Sequence, residues 1–254
     1  MRNYFLLLMG LGIFISAAQA DMGGLSVSPT RIIYHAGDNS AEITIFNGAM
    51  HTPYLIELSL TDAGESLASG RYVMPSPVVP LPPQERRVIR IGDIPDVTRA
   101  LPADRESLSY LWVRGVPGMG EGNQKGPDVG GEIHIALTMK VKVIYRPNAV
   151  EKASFSYPDV LTATCDAAGL HMHNSSPRYI ALAYLKTRDN AVPLNNDEYL
   201  LSPFSDRVWR GACGKHVIAR SGDRPDEISW GVIKDSGQVI TLQSVSGRTS
   251  ITGA

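Results

Sequence analysis

The residues of this chain whose types and spacing could do chemistry are few. His171 and His173 stand two apart, a spacing that in a strand puts both rings on one face and permits chelation, but no acidic or cysteine partner is recognisable beside them. They read as surface histidines, so no metal site is expected. Neither a G-x-S-x-G elbow nor an H-E-x-x-H pair occurs, and the Ser, His and Asp residues assemble into no triad. The connection from Gly115 to Gly131 holds seven glycines in 17 residues, yet contains neither G-x-G-x-x-G nor G-x-x-x-x-G-K-[ST], so it is not read as a phosphate cradle. Two cysteines, Cys165 and Cys213, are too few for a four-thiolate zinc site. The expectation is a protein with no catalytic residues and no cofactor, not an enzyme.

Charge and targeting narrow the classes further. Lys plus Arg number 24 against 25 Asp plus Glu, which removes the basis for general nucleic-acid binding. At the start, Arg2 precedes the apolar residues Phe5-Leu6-Leu7-Leu8-Met9 and Ile13-Phe14-Ile15, and Ala18-Gln19-Ala20 has the form of a signal-peptidase site. Residues 1–20 therefore read as a signal peptide with Asp21 opening the mature chain. The run is short for a hydrocarbon core of about 30 Å and no later segment reaches 18 apolar residues, so no membrane insertion is expected. Export would place Cys165 and Cys213 in an oxidising space, where a structural disulfide is favoured.

The elements that must position any site are strands. A length of 254 residues suits two domains of about 100–150 residues each, and the dominant period is two. In the first half, strands are expected near 25–34, 41–46, 53–60, 71–74, 85–91, 107–114 and 132–145, with the proline-rich run from Pro75 to Pro83 read as a connection. That count and spacing suggest an immunoglobulin-like sandwich. After Pro147 the pattern restarts, with short runs near 161–164, 170–173, 179–186, 198–201, 207–209, 216–220, 228–233 and 238–244. The fold class is all-β, two sandwiches joined at Pro147-Asn148: residues 21–147 and 148–254.

The segment 132–145 is the most informative. Ile133, Ile135, Leu137, Met139, Val141, Val143 and Tyr145 line one face, while His134, Thr138, Lys140 and Lys142 lie on the other. At about 3.3 Å per residue it would extend roughly 43 Å, more than one small sandwich covers. Taken alone the row fits either a plain core strand or a segment kept available for another chain.

The motifs of the chain resemble those of the periplasmic pilus chaperones of the chaperone-usher class. They are Ser28-Pro29-Thr30-Arg31-Ile32-Ile33-Tyr34, Leu101-Pro102-Ala103-Asp104-Arg105-Glu106-Ser107 and Lys140-Val141-Lys142-Val143-Ile144-Tyr145-Arg146-Pro147. Pro53-Tyr54, Asn174-Ser175-Ser176-Pro177 with Tyr179, and Leu201-Ser202-Pro203 add weaker support. The resemblance implies two immunoglobulin-like domains set in a boomerang, and a periplasmic protein that lends a strand to pilus subunits and delivers them to an outer-membrane usher. Carried over by motif, Ile133, Ile135 and Leu137 would enter the subunit groove, and Arg31 and Lys142 would anchor the subunit's C-terminal carboxylate. Glu106, Arg146 and, on a looser match, Asp235 would form interdomain salt bridges. As exposed pairs these contribute only about 0–1 kcal/mol, so orientation rather than stability is their expected role. The family often has an aromatic residue where this chain has Leu58-Ser59-Leu60. A secreted structural or adhesive protein like a pilus subunit is the alternative, though the short polar end Arg248 to Ala254 is ill suited to it. Through its exposed strand the free chain could also pair with a second copy of itself.

Overall fold

Alternation of apolar and polar residues folds the chain into strands with one face turned inward, the arrangement that antiparallel sheets favour. The computed structural model describes residues 24–64, 68–118, 135–188, 190–195, 199–213, 228–245 and 248–251. The expected leader at 1–20, the expected strand at 216–220, and Ile133 lie outside the described residues.

The first half contains β1 (Leu25–Ser28), β2 (Arg31–His35), β3 (Ala41–Asn47), β4 (Tyr54–Asp62), β5 (Tyr72–Val73), β6 (Val78–Leu81), β7 (Arg86–Asp93), β8 (Ser107–Pro117) and β9 (Leu137–Arg146). One sheet has the order β1-β3-β7-β5 and the other β2-β9-β8-β4-β6. Tyr34, Ile43, Ile45, Leu111, Val113 and Val143 are fully buried between them. Leu58 and Leu60, where an aromatic residue was missed, fill the same core.

Three strand expectations are corrected. The segment 25–34 is two strands in different sheets, because Pro29 has no N–H to continue a ladder and the chain crosses over there. Val78–Leu81, inside the proline-rich run, is a strand after all; it lies at the sheet edge, where Pro80 is tolerated. Among the described residues, Ile135 and Ala136 of the long apolar row are not part of a strand, and β9 begins at Leu137, which pairs with Gly115. Two residues beyond Gly115 on β8, Pro117 lacks the N–H that would extend the ladder.

From β9 the chain passes through Pro147 and a short helix, Asn148–Lys152, into the second half. There β10 (Leu161–Cys165), β11 (Gly169–Asn174), β12 (Ile180–Thr187), β13 (Asn190–Ala191), β14 (Leu200–Leu201), β15 (Ser205–Arg210), β16 (Ile228–Ile233), β17 (Val239–Val245) and β18 (Arg248–Ile251) follow. They form the sheets β10-β11-β15 and β13-β12-β16-β17-β18, with β14 also pairing with β12. Leu161, Leu170, Met172, Leu201, Trp230 and Leu242 are buried between these sheets. Cys165 and Cys213 are joined, closing a loop of sequence separation 48. In the chain-entropy account such a loop is worth about 4 kcal/mol.

The two sandwiches meet through a third apolar cluster. Leu108, Tyr110 and Ile144 of the first pack against Ala181 and Leu200 of the second, with Ile33, Tyr179, Tyr199 and Ile233 around them. Val143 points into the first core while its neighbour Ile144 points across to the second sandwich, so β9 is buried on both faces at its C-terminal end.

Candidate functional site

Arg31 and Lys142, far apart in the chain, are direct partners in the parallel pairing of β2 with β9. Directly paired residues of a sheet point to the same face. Their successors Ile32 and Val143 are buried in the first core, so the two cations emerge on the opposite face, toward the second sandwich. There Arg31 Nη1 donates to the Ile233 carbonyl at 3.3 Å, and Lys142 Nζ lies 4.4 Å from the centre of the Tyr199 ring. Lys140, on the same face, sits over the Tyr110 ring at 3.8 Å. Two adjacent cations in a half-buried cleft are suited to a single carboxylate, which accepts charge-assisted hydrogen bonds from both.

Behind this pair runs an ionic network that ties the sandwiches together. Arg146 Nε donates to Glu106 Oε1, Arg146 Nη1 donates to Asp235 Oδ2 at 2.8 Å, and Glu106 Oε2 accepts the Tyr179 N–H at 2.6 Å. The turn that delivers this N–H is shaped by Asn174, whose side-chain oxygen accepts from the N–H and hydroxyl of Ser176 and whose Nδ2 donates to Arg178 O. Burial raises the Glu106 carboxyl, and the Arg146 charge and the Tyr179 N–H pull it back without cancelling that rise. Burial also acts to raise Asp235, but there the Arg146 hydrogen bond and charge, with Arg178 and Arg31 behind them, hold the carboxyl below its ordinary range. The contribution of Asp235 to stability is therefore present at neutral pH and is lost as pH falls through its lowered value.

This network is not the set of exposed pairs anticipated above. The Glu106 and Arg146 side chains are 0% and 4% exposed, and of the three residues expected here Asp235 alone, at 45%, meets solvent. Removing Glu106 takes the partner from the buried Arg146 Nε and from the Tyr179 N–H, and breaking a buried pair in this way costs about 3–5 kcal/mol. Glu106→Ala is expected to lower the unfolding free energy by that amount in denaturant titration, whereas Asp235→Ala should cost about 1 kcal/mol or less. Equal, small losses for both would contradict the buried assignment. Glu151 and Arg178, which the sequence reading missed, extend the network: Glu151 Oε2 lies 3.5 Å from Arg146 Nη1, and Arg178 Nη2 donates to Val150 O at 3.1 Å. A signal for Arg178 was its place in the Asn-Ser-Ser-Pro-Arg-Tyr turn; Glu151 had none.

On the far side of the cations, β9 is only half paired. Leu137 to Val141 have β8 on one side and, among the described residues, no strand on the other, because β2 begins at Arg31 opposite Lys142. Along the inward-facing row, Val143 and Val141 are buried, Met139 is half-buried, Leu137 is 39% exposed and Ile135 68%. The apolar row thus leaves the core and enters solvent along an open backbone edge. Such an edge is a template for an added strand.

Other groups sit apart from this site. His171 Nε2 lies 2.9 Å from Asp166 and His173 Nδ1 lies 2.8 Å from Asp206, so each ring has its own carboxylate. A depression of about 600 Å³ lies in the second sandwich among Asn190, Val192, Val208 and Trp209, distant in topology from the two cations.

The family model described as pili and flagellar-assembly chaperone, PapD N-terminal domain, matches residues 24–151, just over half of the chain. The chain is 28% identical over 208 residues to the Escherichia coli chaperone protein FanE, covering 80% of this chain and 85% of that protein. It is 27% identical over 201 residues to the Escherichia coli chaperone protein PapD, covering 78% and 80%. A chain in the structure of the Salmonella enterica SafA pilin in complex with the SafB chaperone superposes with TM-score 0.68 at 23% identity, over 89% of this chain and 98% of that one, a likeness of fold.

Proposed function

This chain belongs to the family of pili and flagellar-assembly chaperones with a PapD-type N-terminal domain, and from that premise we propose how its cleft and open edge hold a pilus subunit. The chain is a periplasmic chaperone that binds pilus subunits and passes them to an outer-membrane usher. Division at Pro147 gives a subunit-binding domain, residues 21–147, and a second domain, residues 148–254.

The subunit's C-terminal carboxylate is held by Arg31 and Lys142, and its last strand lies along the edge of β9 that no strand covers among the described residues, from Val141 back toward Leu137. With the C-terminus at the cations, that strand runs in the same direction as β9, in line with β2, which it continues. The carboxylate sets the register, and register decides which side chains face the groove. Ile133, Ile135 and Leu137 then enter the subunit as the strand it lacks. Burying three such side chains is worth on the order of 5–9 kcal/mol before ordering costs. Glu106, Arg146 and Asp235 hold the two sandwiches so that the cleft keeps its shape.

The observation that carries this reading is the placement of Arg31 beside Lys142 at the point where, among the described residues, β9 changes from doubly paired to half paired. Co-expression with candidate pilus subunits tests it. A soluble one-to-one complex is expected for a cognate subunit. Subunits that aggregate or are degraded equally with and without the chaperone, across the whole candidate set, would contradict it.

A further inference from the structure

Both cations of the proposed anchor belong to the first sandwich, yet the second sandwich holds them. Arg31 donates to the carbonyl of Ile233, the last residue of β16. Lys142 has its ammonium 4.4 Å from the centre of the Tyr199 ring. A lysine side chain is a flexible four-carbon stem with large rotamer entropy, and a ring face attracts its ammonium electrostatically. A cation already parked where its anion will arrive has less freedom to lose on binding.

Tyr199 itself is firmly placed. Its carbonyl accepts the Leu182 N–H at 2.7 Å, and the next residue, Leu200, is buried in the cluster between the sandwiches. After β14 the chain turns through Pro203 and Phe204, whose N–H donates to Ser176 O at 3.1 Å. Phe204 has a positive φ of 49°, uncommon for a bulky residue, and its ring lies 5.1 Å beneath the Arg105 guanidinium of the first sandwich. Arg105 is in turn fixed by two hydrogen bonds to Asp104, at 3.0 and 2.8 Å. The segment from Tyr199 to Phe204 is thereby pinned to the first sandwich at the turn that follows the Tyr199 seat.

We propose that Tyr199 is a positioning residue for carboxylate recognition: its ring seats the Lys142 ammonium beside Arg31, so that the second sandwich sets the geometry of the anchor. This rests on the anchor reading above and adds a part to it. The ring face is what matters and the hydroxyl is not, so Phe serves in its place and Leu does not.

The test uses the full-length mature chaperone and a synthetic peptide of the C-terminal strand of a co-purified subunit, made as the free acid and as the amide. The readout is the ratio of the two affinities. A merely structural change weakens both peptides alike, whereas loss of the seat weakens the acid selectively. Tyr199→Leu is expected to reduce acid-over-amide preference about three- to tenfold, the range of a modest cation–π contact, and Tyr199→Phe to retain it. Independently of any variant's folding, the Lys142 ε-methylene protons of the free wild type should resonate upfield under the ring current, and should do so in Tyr199→Phe. Undiminished acid preference in Tyr199→Leu, equal losses in the Phe and Leu variants, or absence of the upfield shift would each overturn the proposal. A wild type that does not distinguish acid from amide would instead overturn the anchor reading, and the seat with it.

Discussion

Arg31→Ala and Lys142→Ala are each expected to lose recovery of a pilus subunit while leaving the chaperone folded. Both side chains lie on the outward face of their strands, and the residues that follow them, Ile32 and Val143, stay in the core. Neither substitution opens a cavity there, so melts should stay within about 0.5–1 kcal/mol of wild type. Binding is different. Loss of one charge-assisted partner of a carboxylate removes roughly 1.5–3 kcal/mol, which is about ten- to a hundredfold in affinity. The free carboxylate would then also fail to fix the register of the strand behind it, and a slip of one residue turns every side chain to the wrong face. Normal capture by both variants in a pull-down would remove the anchor.

The second large effect separates the two ends of one apolar row. Ile135 is 68% exposed and lies before the regular part of β9, whereas Val143, on the same face, is fully buried. Ile135→Glu should change the stability of the isolated protein by no more than about 0.5 kcal/mol. It should nevertheless end subunit capture, because the charge would have to enter an apolar groove. Val143→Glu puts the same charge into the core of the first sandwich, at a cost comparable to the whole stability of a domain, about 5–15 kcal/mol, and should unfold it. Thermal melts beside a pull-down read both. An Ile135→Glu protein that melts like wild type and still captures subunit would exclude the lent-strand role, and one unfolded on its own would make the row an ordinary core strand.

Much of the fold and of where these residues lie in it was legible in the sequence, for reasons that differ by residue. The alternation from Leu137 to Tyr145 is a period-two pattern, and such patterns report burial directly, so Val141 and Val143 are inward where the alternation puts them. Pairing is not a local property. Nothing in Arg31 and its neighbours says that β2 lies parallel to β9, and without that the open edge from Leu137 to Val141 cannot be located. Burial of charged groups is equally hidden: Glu106 and Arg146 read as ordinary surface ions until the turn at Pro177 to Tyr179 closes over Glu106. Pro80 spoke against a strand at Val78–Leu81, and only its place at the sheet edge reconciles the two. Tyr199 carries no mark in its own segment; its role follows from meeting Lys142 across two sandwiches.

Amide hydrogen exchange on the purified chaperone–subunit complex tests the central claim most directly. In the free chaperone, the amides from Val143 to Tyr145 already lie between β2 and β8, whereas those from Leu137 to Val141 have β8 alone among the described residues. A subunit strand added along the free edge should slow exchange across Leu137 to Val141 and leave Val143 to Tyr145 nearly unchanged. Unaltered exchange across Leu137 to Val141 in a stable one-to-one complex would contradict it.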